Sequence, residues 1–245
     1  MTTEPTSKAV NLRDISTQLG DKEAALRNCL YATLLEAITG DTPTQSFSVL
    51  DIGCGRGEMM QMLREQGHQC VGVDMEPECV RMASQYGETH LGTFDTLEST
   101  ISDRPFDVVL SSHVLEHVDH PLACLQQAMR VRANRFVFAV PNVLRSIRLV
   151  RAIFGNPKAD HPTHVYGWTQ PELTALMDRA GFDCAEWYQD RVTINPFAGS
   201  LGTKLTKILS PIETRLLPRL FPMLSSSLIV GCTKKTPGPQ NPQSA

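Results

Sequence analysis

The sequence predicts an α/β fold: a doubly wound, mostly parallel sheet of seven strands, with helices on both faces and an antiparallel last strand. Three observations predict it. Short apolar runs alternate with helical patterns, as the crossovers of a parallel sheet demand. The first run breaks at glycines spaced two apart (Gly53, Gly55, Gly57), and Glu58 to Gln66 resume at once with helical periodicity. The last two runs, 184–194 and 227–233, have no obvious crossover helix between them, so they can pair antiparallel.

Taken in order, residues 1–20 read as a flexible N-terminus, polar above all over 1–11. Asp21 to Ile38 carry Leu26, Cys29, Leu30, Leu34, Ala37 and Ile38 at helical spacing; this helix lies over the ligand site or covers a sheet face. Turn formers over 40–46 lead into the first strand, 47–52. After the helix at 58–66, Gly67 is a stop, and Gln69 to Asp74 form the second strand. Pro77 opens a helix through Tyr86, since proline suits a first turn. Thr89 to Phe94 read as the third strand, running into Asp95. Phe106 to Ser112 are the fourth, followed by a helix over about 122–132. Arg135 to Val140 are the fifth and end at Pro141 and Asn142. Residues 143–154 read as a basic helix and 155–167 as a loop rich in His and Pro. Thr169 caps a helix over Gln170 to Arg179, with Pro171 in its first turn and Gly181 past its end. A single domain thus spans 21–234, with a helical insertion at 196–224 and a Pro- and Gln-rich tail at 235–245 that reads as disordered.

Composition narrows the function. A hydrophobic content of 41% supports a sizeable core. A net charge of −3 and a pI of about 6.2 give no global attraction to nucleic acid, and no nucleic-acid partner is expected. Seven cysteines (Cys29, Cys54, Cys70, Cys79, Cys124, Cys184, Cys232) are scattered without a Cys-x-x-Cys pair. The N-terminus carries no secretory pattern, and no apolar stretch is long enough to span a bilayer. A cytoplasmic protein with reduced thiols is expected.

The chemistry is carried by 47–57, Phe-Ser-Val-Leu-Asp-Ile-Gly-Cys-Gly-Arg-Gly. A strand, glycine turn and helix at the carboxyl edge of a parallel sheet is where ligands bind. The spacing is not the Gly-x-Gly-x-x-Gly of a dinucleotide site, and no Gly-Lys-Ser/Thr follows to cradle phosphate. A carboxylate just before the turn, Asp51, suits a cationic ligand better than a pyrophosphate. At the end of the second strand, Asp74 can accept both hydrogen bonds of a ribose diol. Asp95 is placed for an adenine amino group, with Met75 and Phe94 packing on the purine. Together with the strand Phe106-Asp107-Val-Val, these features resemble the class I S-adenosylmethionine-dependent methyltransferases, over roughly residues 45–234. The resemblance implies their seven-stranded Rossmann-like fold and S-adenosylmethionine as cofactor. It also implies that Gly53, Cys54 and Gly55 lie against the methionine moiety, with Asp51 on its ammonium. Asp74 then takes the ribose, Asp95 the adenine, and Ser111 and Ser112 flank the methionine portion from the fourth strand.

A hydroxyl acceptor must lose its proton, which a histidine can take. His113, Glu116 and His117 stand at i, i+3 and i+4, which places them on one helical face; His161 and His164 come from the later loop. His113, His117 and His164 are assigned to acceptor positioning or base work, with Glu116 orienting an imidazole. Each histidine equally suits a bland role, capping a helix or bonding a carbonyl. His-x-x-Glu-His, with His164 in His-Val-Tyr-Gly-Trp-Thr, resembles clusters in the small-RNA 3′-terminal 2′-O-methyltransferases and the ubiquinone-pathway O-methyltransferases. That resemblance implies an alternative, metal-assisted O-methylation using His113, Glu116, His117 and His164. One carboxylate and three imidazoles favour zinc, manganese or iron over magnesium; no resident metal is assigned. Pro141-Asn142 followed by Arg145, Arg148 and Arg151 resembles the methionine-biosynthesis protein W group. It implies a further alternative, a cofactor-binding partner subunit with no transfer of its own. The insertion mixes Lys204, Lys207, Arg215 and Arg219 with apolar residues and is cut by Pro211, Pro218 and Pro222. A lid or sheet cover, with Leu220, Phe221 and Met223 as pocket walls, is expected ahead of a membrane contact. The sequence thus points to a methyltransferase acting on a small-molecule acceptor, at oxygen.

Overall fold

The computed structural model describes residues 21–40, 45–155, 161–193 and 209–236. The expected flexible N-terminus, the insertion up to residue 208 and the tail from 237 lie outside the described residues.

The chain winds out from its glycine turn in two directions. Strand β1 (Ser48–Ile52) leads through α2 (Glu58–Glu65) to β2 (Gln69–Asp74), then through α3 (Pro77–Ala83) to β3 (Glu88–Leu91). The next helix, α4 (Leu97–Ile101), returns the chain across β1 to β4 (Phe106–Ser112). Helix α5 (Pro121–Arg130) and strand β5 (Ala133–Pro141) follow, then α6 (Ser146–Ile153), α7 (Gln170–Ala180), β6 (Phe182–Tyr188), α8 (Leu217–Leu220) and β7 (Ser227–Lys234). The single sheet has the order β3-β2-β1-β4-β5-β7-β6. Pairs among β1 to β5 are parallel, and β7 runs antiparallel to both β5 and β6. The seven-stranded, doubly wound architecture with an antiparallel last strand is therefore the one expected. The order reverses between β1 and β4, which opens a crevice at their carboxyl ends.

Both faces of β1 are covered, which is why its sequence is apolar at every position but Ser48 and Asp51. On one face, Leu50, Ile52, Val71, Val73 and Val109 pack under Leu125 and Ala128 of α5 and Leu173 and Met177 of α7. On the other, Val49, Leu110, Val137 and Ala139 lie under Met60 and Leu63 of α2 and under Leu34, Ala37 and Ile38. Those last three belong to α1 (Asp21–Thr39), so of its two expected roles this helix takes that of a sheet cover. Helix α7 begins at the expected cap: Thr169 and Glu172 form a capping box, and Gly181, at φ 99, ends the helix in the left-handed region.

Four expectations are corrected. The third strand starts at Glu88 and stops at Leu91, because a Thr93–Thr96 capping box turns the chain into a 3₁₀ turn, Phe94–Thr96. Asp95 sits on that turn instead of at a strand end. The sixth strand stops at Tyr188, because Asp190 and Arg191 turn inward and are buried. Leu115–His117 form a 3₁₀ turn, and His113 adopts φ 57, so His113, Glu116 and His117 do not share an α-helical face. Of the expected pocket walls, Leu220 and Phe221 are exposed and Met223 lines an open groove beside Gln170, Pro171 and Thr174 of α7. Their segment is pinned from below, where the buried Asn142 amide donates to the carbonyls of Met223 and Ser225.

Candidate functional site

The glycine turn is built to leave backbone bare at the crevice. Gly53, Gly55 and Gly57 have φ of 79, 54 and 87, a region L side chains resist. The Gly53 and Cys54 amides both donate to the Val73 carbonyl, at 2.7 and 3.1 Å, tying the turn to β2. A β-carbon on Gly53 would come within 2.2 Å of a Val114 methyl, whereas one on Gly55 would meet nothing within 4 Å. Gly55 therefore faces open space, a bed on which a ligand can lie. Cys54 points the other way, buried against Gly72, with burial holding its thiol protonated.

Two carboxylates, Asp51 and Asp74, border this bed, and a third, Asp95, follows β3. Asp51 is 3% exposed, and burial, then the Asp74 and Glu58 charges, push it up to about 7. An acid in that state is a seat for a cation, which would restore its ionised form. Asp74 accepts the Gly55 amide at 2.8 Å and the Glu76 amide at 2.9 Å, so it links the turn to the end of β2 and keeps lone pairs for hydroxyl donors. Asp95 is exposed on its 3₁₀ turn. Met75 is 67% exposed at the rim, whereas Phe94 is 4% exposed and packs in the core with Leu50 and Val73. Phe94 is thus not a purine wall; the capping box turns its ring inward. Ser111 and Ser112 alternate along β4 and face opposite sides of the sheet, so they cannot flank one ligand together. Ser111 is buried, and its hydroxyl has no hydrogen-bond partner among the described residues.

The histidines gather despite the missing helix. Glu116 is wholly buried, and neither carboxylate oxygen has a hydrogen-bond partner among the described residues. Around its Oε1 stand His113 Nδ1 at 3.4 Å, His117 Nε2 at 3.9 Å and His164 Nε2 at 4.0 Å. Burial pushes Glu116 up to about 7. The loop of His161 and His164 is held over it: the Val165 amide donates to the Glu116 carbonyl at 2.9 Å. Thr163 Oγ1 bonds both His117 Nδ1, at 2.8 Å, and His161 Nδ1, at 2.7 Å. One ligand atom each from Glu116, His117 and His164 lies within 4.8 Å of the others. These three can hold a divalent ion, with hard and borderline donors that suit zinc, manganese or iron. The sequence reading brought His113, Glu116, His117 and His164 together correctly as neighbours, by a wrong local geometry. It missed Thr163 and Val114. Thr163 was flagged only by lying between His161 and His164, and Val114 by nothing local.

A family model described as a methyltransferase domain matches residues 22–186. The ubiquinone biosynthesis O-methyltransferase of Cereibacter sphaeroides (strain ATCC 17025 / ATH 2.4.3) is 36% identical over 159 residues, covering 60% of this chain and 64% of that protein. The protein of the same name from Xylella fastidiosa (strain 9a5c) is 26% identical over 203 residues, covering 71% and 82%. Among solved structures, magnesium protoporphyrin IX methyltransferase from Synechocystis PCC 6803, with S-adenosylhomocysteine bound, superposes with a TM-score of 0.61. It is 15% identical, with 91% of this chain and 92% of that one covered. A SAM-dependent methyltransferase from Archaeoglobus fulgidus gives 0.59 at 18% identity, covering 91% and 100%. At these identities the two structures share the fold.

Proposed function

Because the chain belongs to the methyltransferase domain family, class I and dependent on S-adenosylmethionine, we propose that it methylates a hydroxyl oxygen of a small-molecule acceptor. The residues present fit that cofactor: an open glycine bed at Gly55, and a buried Asp51 whose raised pKa calls for a cation. When bound, the cofactor supplies an electrophilic methyl carbon on a sulfonium, a leaving group that needs no protonation. Asp51 would hold the ammonium, Asp74 the ribose hydroxyls, and Asp95 the adenine amino group beside the Met75 rim. The chain's own work is to orient the acceptor, exclude water and take one proton.

The observation that carries the oxygen acceptor is Glu116, a buried carboxylate with no hydrogen bond among the described residues and three histidines around it. A neutral hydroxyl must lose its proton as it is methylated, and this cluster can supply the base. The relatives named for ubiquinone biosynthesis are O-methyltransferases, which supports the same reading. Screening phenols, sugars and polyketides for acceptor-dependent release of S-adenosylhomocysteine tests it. Release with amines and none with hydroxyl compounds would overturn it. A second reading rests on the placement of Glu116, His117 and His164: a bound divalent ion that gathers the acceptor oxygens and lowers their pKa. Elemental analysis, with activity measured after chelation and after metal return, separates the two.

Cofactor binding carries its own pH signature. Ionised Asp51 is the form that holds an ammonium, and burial, then the Asp74 and Glu58 charges, push its carboxyl up to about 7. Calorimetry with S-adenosylhomocysteine should show affinity constant above that pH and falling below it, approaching tenfold per pH unit, with a proton released on binding. Affinity independent of pH between about 6 and 8 would remove Asp51 from the ammonium site.

A further inference from the structure

All seven cysteines are thiols, and two of them face each other across a pair of strands. Cys184 of β6 stands directly opposite Cys232 of β7 in the antiparallel register. Residues paired in this way share one face of the sheet. Cys232 is buried in the core cluster with Phe182 and Val230, and the half-buried Cys184 packs against that cluster. Directly opposed antiparallel residues have Cα atoms about 4.5–5.5 Å apart, inside the span of about 4.4–6.8 Å that a disulfide bridges. The register slips by one residue between Cys184 and Glu186, a bulge that gives the strand slack beside the pair. Strand β6 is the last in the sheet, so the pair lies at an edge, with Cys184 on its more open side. The thiols also differ in ease of ionisation. Burial pushes those of Cys29, Cys54, Cys70, Cys79 and Cys124 up from the ordinary value. Cys184 is drawn below it, and the neighbouring Cys232 side chain is the largest cause. A thiolate is the nucleophile in disulfide exchange, so Cys184 is the member of the pair that attacks first.

We propose that Cys184 and Cys232 form a reversible oxidation site, which a small-molecule disulfide of the glutathione type converts into a cross-strand disulfide stapling β6 to β7. The Cys184 thiolate attacks one sulfur of the small disulfide. A new S–S bond forms, the old one breaks, and one glutathione leaves as its thiolate. Cys232 then loses its proton and attacks Cys184 Sγ, and the second glutathione thiolate leaves. The two cysteines give up two electrons, the small disulfide takes them, and the two cysteine protons end on two glutathione thiols. The bridge closes residues 185–231 into a loop, which restricts the unfolded chain, and it ties down a strand that pairs with β7 alone among the described strands. The site is separate from the cofactor crevice. Cys232 lies opposite Phe136 in the first half of β5, whereas the crevice is at the carboxyl ends of the parallel strands.

The test incubates the folded full chain with excess oxidised glutathione at about pH 8, then quenches, unfolds and alkylates it for intact mass and peptide mapping. The wild type should lose two hydrogens and yield one cross-linked peptide pair joining Cys184 to Cys232, with the other five cysteines alkylated. Its melting temperature should rise by about 5 °C or more and return to the starting value with dithiothreitol. Cys184→Ser should abolish both the bridge and the rise. Cys232→Ala should do the same and leave glutathione attached to Cys184, so either variant serves if the other fails to fold. Affinity for S-adenosylhomocysteine should be equal in the reduced and bridged forms, because the bridge is remote from the crevice. A wild-type pair that stays reduced, a glutathione adduct on Cys184 that never resolves, a bridge to another cysteine, or a bridge that leaves the melting temperature unchanged overturns the proposal.

Discussion

Replacing Asp74 by Ala should weaken S-adenosylhomocysteine binding by about 100-fold or more while the protein stays folded, measured by calorimetry beside thermal unfolding. Two hydroxyls donating to one carboxylate are charge-assisted bonds, each worth about 1.5–3 kcal/mol when the partner is removed. Together they exceed about 3 kcal/mol, which corresponds to the stated loss. The same carboxylate also fixes the bed, through the amides of Gly55 and Glu76. Removing it loosens the turn at the point where the ligand backbone lies. Asp74→Asn keeps one acceptor oxygen and should fall between the two, about tenfold weaker than wild type. An Ala variant with wild-type affinity would place the ribose somewhere else, and the three-carboxylate arrangement would lose its meaning.

The parts of this site that were legible in the sequence are those whose geometry is set within a few residues. The glycine turn, Asp51, Asp74 and the Thr169 capping box follow from local sterics and hydrogen bonding, and each stands where expected. Phe94 was misread because an apolar residue after a strand-like run resembles a strand end, yet Thr93 and Thr96 cap a turn there and rotate the ring into the core. The sixth strand was read too long for a different reason. Asp190 and Arg191 are buried only because Ser227 and Glu213, 37 and 22 residues away in sequence, receive them. No window of local sequence contains those partners. The histidine cluster lies between these cases. Its members were identified by residue type, but a helical period was assumed where the chain leaves β4 in a left-handed turn. The convergence is achieved by the loop of Thr163 to Val165 clamping onto Glu116 and His117, a long-range contact.

Glu116→Gln should make the protein more stable near pH 8, by an amount on the order of 3 kcal/mol, while it removes function. The sign follows from the raised pKa. Glu116 moves from an ordinary value of 4.5 to about 7 on folding, so the folded state holds its proton more tightly than the unfolded chain. The favourable contribution is complete below the unfolded pKa and is lost as pH rises through about 7. At pH 8 the wild type therefore keeps a buried, ionised carboxylate with no hydrogen-bond partner among the described residues, and a neutral amide of the same shape avoids that cost. Urea unfolding across the pH range should show the gain at pH 8 shrink on acidification and vanish near pH 5, as the buried Glu116 carboxyl takes up its proton. The same variant should bind zinc or manganese more weakly, since it replaces the one anionic donor of the Glu116, His117 and His164 group. A variant no more stable than wild type at pH 8 would mean that the carboxylate is satisfied in the folded protein, and its burial would then be ordinary packing. A variant that is more stable yet inactive would identify Glu116 as a residue kept against the interest of the fold, as buried carboxylates at working sites commonly are.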